Sequence, residues 1–238
     1  MNIPFITTSQ MIEVDRLMVE KYKITLIQMM ENAGRNLSIL AYDKFLKDLN
    51  DVANVTILCG TGGNGGGALV CARHLHNRGV NVVVCITKNI SALKSVTAHQ
   101  LRILQNLKIK IIFPEDLNFL NECDLIIDGI IGYSLKEKPN KKIAGMIDWA
   151  NKIKCPKLSL DIPTGINAAT GEIYSIAVKA DATMTLALPK SGFKNQKASE
   201  YFGELYLADI SVPKELYNED SFNVEVGNIF KKNQIIKL

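Results

Sequence analysis

Gly60-Thr-Gly-Gly-Asn-Gly-Gly-Gly-Ala68 constrains this chain more than any other stretch. The apolar run Val55-Thr-Ile-Leu-Cys59 before it reads as a buried strand. Leu69 to His76 after it reads as a helix that stops at Gly79. A strand, a glycine loop and a helix in that order leave backbone N–H groups bare at the positive end of a helix dipole. Glycine also admits positive φ and lets an anion come close to the main chain. The implied ligand is a phosphate-bearing small molecule held at the mouth of a parallel sheet.

Gly60, Gly62 and Gly65 satisfy G-x-G-x-x-G, which alone suggests an ordinary NAD-dependent dehydrogenase. That reading needs an acidic residue about 20 positions on, at the end of the next strand, to hold a ribose hydroxyl. The expected second strand, Val80 to Ile86, is followed by Thr87-Lys88-Asn89, with no Asp or Glu. The dehydrogenase reading loses its best corroboration there.

A chain of 238 residues with 47% hydrophobic content can bury one large α/β core. The net charge of +4 is modest and the basic residues are scattered, which speaks against nucleic acid as a partner. Cys59, Cys71, Cys85, Cys123 and Cys155 form no C-x-x-C pair, so they read as reduced core thiols of a cytoplasmic protein. No signal-peptide pattern and no apolar run of membrane-spanning length is present.

Met11, Val14 and Met18 recur at helical spacing, and Thr25 with Gln28 can cap a second helix through Leu26, Met30, Ala33, Leu37 and Leu40. These form a helical extension over residues 1–50, a candidate dimer surface or wall of a site. Gly34 inside the second helix costs about 1 kcal/mol relative to Ala, which close backbone packing would explain. From residue 51 to 238 strands and helices alternate. Strands are expected near 54–59, 80–86, 108–113, 124–128, 157–161, 182–188 and 203–208, with helices near 66–78, 92–106 and 141–151. The expected fold is a single domain, an α/β three-layer αβα sandwich with a Rossmann-like, mostly parallel sheet and an N-terminal helical extension.

Asn64, Asp128, Asp161 and Lys190 all fall beyond the carboxyl ends of expected strands, where open α/β sheets bind ligands. Each has an ordinary alternative, since strand-end Asp and Asn often serve loops and lysines are usually solvated. Together they mark a site. Asn64, Asp128 and the Thr164 hydroxyl offer hard oxygen ligands suited to an alkali or alkaline-earth cation. Asp161 and Lys190 can form an acid–base pair. His74, His76 and His99 lack metal spacing and read as structural or solvated.

Met30-Glu-Asn-Ala-Gly34, Cys59 to Gly66, Asp128-Gly-Ile-Ile-Gly132, Ser159-Leu-Asp-Ile-Pro-Thr-Gly165 with Thr170-Gly171, Ala180-Asp-Ala-Thr183 and Pro189-Lys-Ser-Gly192 resemble, in order, the motifs of the YjeF N-terminal family of NAD(P)H-hydrate epimerases. The resemblance implies interconversion of the R and S forms of hydrated NADH and NADPH. It implies potassium at Asn64, Asp128 and Thr164, and chemistry at Asp161 and Lys190. The damaged dinucleotide would contact Gly63, Asn64, Gly65, Gly66, Gly67, Gly132, Tyr133, Ser134, Leu135, Lys136, Glu137 and Lys138, with Asp161. A homodimer and a separate NAD(P)HX dehydratase acting downstream are also implied, the C-terminal residues being too few for a fused dehydratase. Gly63, Gly67 and Ala68 depart from the family loop, Gly63 and Gly67 replacing polar residues. A diverged nucleotide-binding or interaction module is therefore the alternative.

Overall fold

The structure, a computed structural model, describes residues 3–120, 122–219, 222 and 224–238. Two N-terminal helices, α1 (Thr8–Glu20) and α2 (Leu26–Ala41), precede β1 (Asn54–Cys59), α3 (Gly63–His76), β2 (Asn81–Ile86), α4 (Ser95–Asn106) and β3 (Lys110–Ile112). Then follow β4 (Leu125–Gly129), α5 (Lys141–Lys152), β5 (Lys157–Leu160), β6 (Ala182–Leu186), α6 (Ser199–Phe202), β7 (Glu204–Ala208) and β8 (Ile235–Lys237). The strands form one sheet in the order β3-β2-β1-β4-β5-β6-β7-β8. All pairs are parallel except β7 with β8.

The strands are continuous apolar runs because both sheet faces are covered. Val55, Ile57, Val84 and Ile127 pack with Leu37, Leu69, Leu75 and Leu101 of α2, α3 and α4. Leu58, Cys85 and Ile126 pack on the other face with Met146 and Trp149 of α5. Helix α1 packs with Ile210, Leu216 and Tyr217 of the C-terminal segment. The order places β1 beside β4, so the chain runs away in opposite directions from that pair and leaves a crevice between their ends.

Three expectations change. The short strand β8 is an addition; Ile235–Lys237 is too brief to show a period. Helix α3 begins at Gly63, not near residue 66, so most of the glycine loop is the helix's first turn. Its glycines answer to packing. A Cβ on Gly65 would lie 2.1 Å from the Gly60 carbonyl oxygen, and one on Gly66 would lie 2.4 Å from the Met30 sulfur. Finally, Cys123 and Cys155, expected as core thiols, are only half-buried, and their sulfurs stand 3.2 Å apart just before β4 and β5, where adjacent strands bring distant residues together.

Gly34 packs against this same helix. A Cβ there would lie 2.4 Å from the Gly67 carbonyl oxygen and 2.4 Å from Val70 Cβ, so α2 and α3 touch backbone to backbone. Gly145 of α5 faces open space, with nothing within 4 Å of its would-be Cβ. Gly34→Ala should therefore destabilise the protein by about 1–3 kcal/mol through overpacking. Gly145→Ala should stabilise it by about 1 kcal/mol. Urea unfolding of the two variants checks this, and equal shifts would refute the packing account.

Candidate active site

The strongest local feature is a buried ion pair. Lys190 is completely buried, and its Nζ donates to Asp161 Oδ1 at 2.5 Å, the Leu186 carbonyl at 2.9 Å and Thr185 Oγ1 at 3.3 Å. Three donors thus meet three acceptors, which is what a buried ammonium requires. The chain holds Lys190 there by pairing Ile6 with its neighbours: Ile6 N–H donates to the Pro189 carbonyl and Ser191 N–H to the Ile6 carbonyl, both at 2.9 Å. Asp161 leaves β5 with φ 70°, a left-handed conformation that Asp tolerates better than most residues, and its N–H is fixed on the Met184 carbonyl at 2.7 Å. Such strain is a feature of functional positions.

Asp161 Oδ2 accepts the Tyr133 N–H at 2.9 Å. The Tyr133 hydroxyl in turn donates to Asp15 Oδ2 at 2.5 Å. Gly132 lets the loop come this close. A Cβ on it would lie 2.7 Å from Asp161 Oδ2 and 3.0 Å from Asn64 Oδ1, so Asn64 and Asp161 flank the same point. Burial is the main cause raising both the Asp15 carboxyl and the Tyr133 hydroxyl above their usual pKa ranges.

Beneath lies a second buried carboxylate, Asp128, at the end of β4. It accepts from Ser159 Oγ at 2.9 Å, Thr164 N–H at 2.8 Å, Thr164 Oγ1 at 2.7 Å and Ile130 N–H at 3.2 Å. All four donors are neutral. Burial pushes its pKa up, against those hydrogen bonds. Asn64, reaching the loop from α3, has a buried amide nitrogen with no hydrogen-bond partner. The Asp128 carboxyl and the Thr164 hydroxyl are hard oxygen donors of the kind an alkali cation takes, and Asn64 would add only its Oδ1, since its orphaned atom is a donor nitrogen.

A cavity of about 370 Å³ opens over the ion pair. Asp161, Lys190, Tyr133 and Asp15 line it together with Met29 and Met30 of α2. A neighbouring recess of about 440 Å³ shares Gly62, Gly63, Asn64, Lys94, Gly132 and Ser134 with it and adds Lys88, Lys136 and Lys142. The two form one crevice astride the α3 N-terminus, with an apolar end over Asp161 and a basic end beyond it. A larger cavity of about 530 Å³ lies between Val212, Tyr217 and Phe230 and is bordered by neither Asp161 nor Lys190.

Asn64, Gly63, Gly132, Ser134, Tyr133, Gly67, Asp161 and Lys190 from the sequence reading border this crevice, as do Leu135, Lys136 and Glu137 at its basic end. Gly65 and Gly66 are buried packing positions of α3 and border neither recess, and neither does Lys138. Asp128 and Thr164 sit fully buried under it. Sequence reasoning missed Asp15, Lys88 and Lys94. One signal was available for the first: Asp15 follows Met11 by one helical turn, placing a charge beside an apolar stripe.

The profile of the family described as "YjeF-related protein N-terminus" matches residues 26–192. A protein of Dehalogenimonas lykanthroporepellens named NAD(P)H-hydrate epimerase is 38% identical over 215 residues, covering 89% of this chain and 84% of that one. One of the same name from Rhodopirellula baltica is 33% identical, covering 93% and 90%. The crystal structure of the yeast protein YNL200c superposes with a TM-score of 0.86 at 25% identity, over 99% of this chain and all of that one. On its motifs, its fold and these matches, the chain belongs to the YjeF-related protein N-terminus family.

Proposed function

We propose that this protein is an NAD(P)H-hydrate epimerase, interconverting the R and S forms of hydrated NADH and NADPH. The observation that carries the reading is the buried Asp161–Lys190 pair at 2.5 Å, opening into a cavity continuous with the α3 N-terminus. The names of the relatives and the near-complete overlap with them support it. The reduced ring fits the apolar end, and the diphosphate fits the bare N–H groups of α3 with Lys94 beside them. An ordinary dehydrogenase is disfavoured, because Thr87 and Lys88 stand after β2 where a ribose-binding acid belongs.

The hydrated ring carries a hydroxyl at C6, next to the ring nitrogen. Its lone pair expels that oxygen as water if an acid protonates it, and water adds back if a base takes its proton. Asp161 is placed to take part in this exchange. Lys190 holds the carboxylate in place, and Tyr133 N–H orients its second oxygen. Asn64, Asp128 and Thr164 would hold potassium, which would supply positive charge beside the site.

The basic end of the crevice suits both NADHX and NADPHX. Ile12 and Val19, exposed on α1, and Leu26 and Ile27, exposed on α2, support a homodimer through the N-terminal helices. Relatives named Bifunctional NAD(P)H-hydrate repair enzyme Nnr, such as that of Dictyoglomus turgidum, are spanned to only 41% of their length. A second repair activity acting downstream accords with those names. Among the described residues, no helix is long and apolar enough to cross a membrane. A cytoplasmic setting accords with a soluble dinucleotide substrate.

The rate at which purified R epimer approaches equilibrium with S, corrected for the spontaneous reaction, tests the activity. Wild type should be fast and Asp161→Asn slower by about 10²–10⁴-fold, the usual worth of a positioned acid–base group. Wild type no faster than buffer contradicts the reading. Potassium is tested apart from chemistry. Binding only to the folded state, it should stabilise by about 2.7 kcal/mol at a hundredfold excess over Kd, read as a rise in Tm. Asp128→Ala should abolish the effect. An equal shift from a large organic cation at the same ionic strength refutes the site.

A further inference from the structure

Epimerisation at one carbon asks more of a site than a single acid–base group supplies. Oxygen leaves C6 from one face of the ring and must return to the other. A carboxyl beside one face is out of reach of water on the opposite face, since proton transfer needs contact at hydrogen-bond distance or one bridging water.

Two carboxyls, Asp161 and Asp15, border the cavity over Lys190, and among the described residues no other acid does. They come from opposite parts of the chain, Asp161 from the end of β5 and Asp15 from the middle of α1. Tyr133 joins them, its N–H on Asp161 Oδ2 at 2.9 Å and its hydroxyl on Asp15 Oδ2 at 2.5 Å. The backbone N–H and the hydroxyl of Tyr133 lie at opposite ends of that residue, so the two carboxyls are held apart along its length.

We propose that Asp15 is the second acid–base group of this site, serving the ring face opposite Asp161. The inference rests on the epimerase reading above. The two carboxyls differ in their surroundings. Asp161 is ion-paired with Lys190. Asp15 has no cation within salt-bridge reach among the described residues, and burial raises its pKa, against the Tyr133 hydrogen bond and the charge of Lys190, with Asp161 adding to the rise. In one direction Asp15 gives its proton to the C6 hydroxyl, the C6–O bond breaks and water leaves. The nitrogen lone pair forms the C=N bond of an iminium. Water then adds to the other face, a C6–O bond forms, the C=N electrons return to nitrogen, and the surplus proton passes to Asp161. The other epimer runs the steps in reverse. Atoms and electrons balance with no oxidant or reductant.

The test follows oxygen exchange and inversion separately, with each purified epimer in ¹⁸O-water. Wild type should incorporate label and invert both epimers. Asp15→Asn should lose inversion by about 10²–10⁴-fold while one epimer still takes up label without inverting. Asp161→Asn should leave exchange in the opposite epimer. An Asp15→Asn enzyme that inverts at the wild-type rate overturns the proposal, and so does one that loses exchange in both epimers. Should Asp15→Asn fold poorly, Tyr133→Phe decides: it should slow inversion more than exchange, and equal effects on both overturn the assignment. Failure of wild type to accelerate anything strikes the epimerase reading instead.

Discussion

The Asp161–Lys190 pair is the interaction on which the rest of the site depends. Removing two charges from water costs several kcal/mol per ion, and their attraction offsets this only when the geometry is good and the remaining donors and acceptors are satisfied. The chain meets those demands from distant segments. Thr185 and Leu186 come from β6, Tyr133 from the loop after β4, and Ile6 pins the backbone on either side of Lys190 from the N-terminus. Each is a restraint on where the carboxylate can be. A carboxylate held this firmly presents its oxygens at one point in space, which is what preorganised catalysis requires.

Contact without side chains supports that arrangement from behind. Gly34 on α2 meets the Gly67 carbonyl and Val70 on α3, and Gly65 brings the start of α3 against the Gly60 carbonyl. These approaches draw α2 down onto the crevice, where Met29 and Met30 line its apolar end. Gly67 is less tightly held, its nearest neighbour being the end of a flexible side chain. A Cβ there would stand 3.0 Å from Leu160 Cδ2. The N-terminal helices are therefore part of the site, α2 through its methionines and α1 through Asp15.

Much of this was legible in the sequence, for identifiable reasons. Continuous apolar runs such as Leu125-Ile-Ile127 declare buried parallel strands, and polar residues at their carboxyl ends, Asp128, Asp161 and Lys190, declare a ligand edge. The glycine stretch announced a close approach, but its spacing alone did not separate ligand contact from helix packing. Gly65 and Gly66 proved to serve packing. Asp15 was hidden because helical spacing gives faces and not partners. Tyr133 lies 118 residues away from it, and only the fold joins them. The Cys123–Cys155 contact was hidden likewise, since no local spacing encodes the pairing of neighbouring strands.

The central claim is that the apolar end of the crevice holds the hydrated ring against Asp161. A crystal structure with bound hydrated NADH tests it most directly. The account predicts the C6 oxygen within hydrogen-bond reach of the Asp161 carboxylate, with the diphosphate on the first turn of α3 near Lys94. A ring found at the basic end, beside Lys88 and Lys142, with adenine over Asp161, would contradict it.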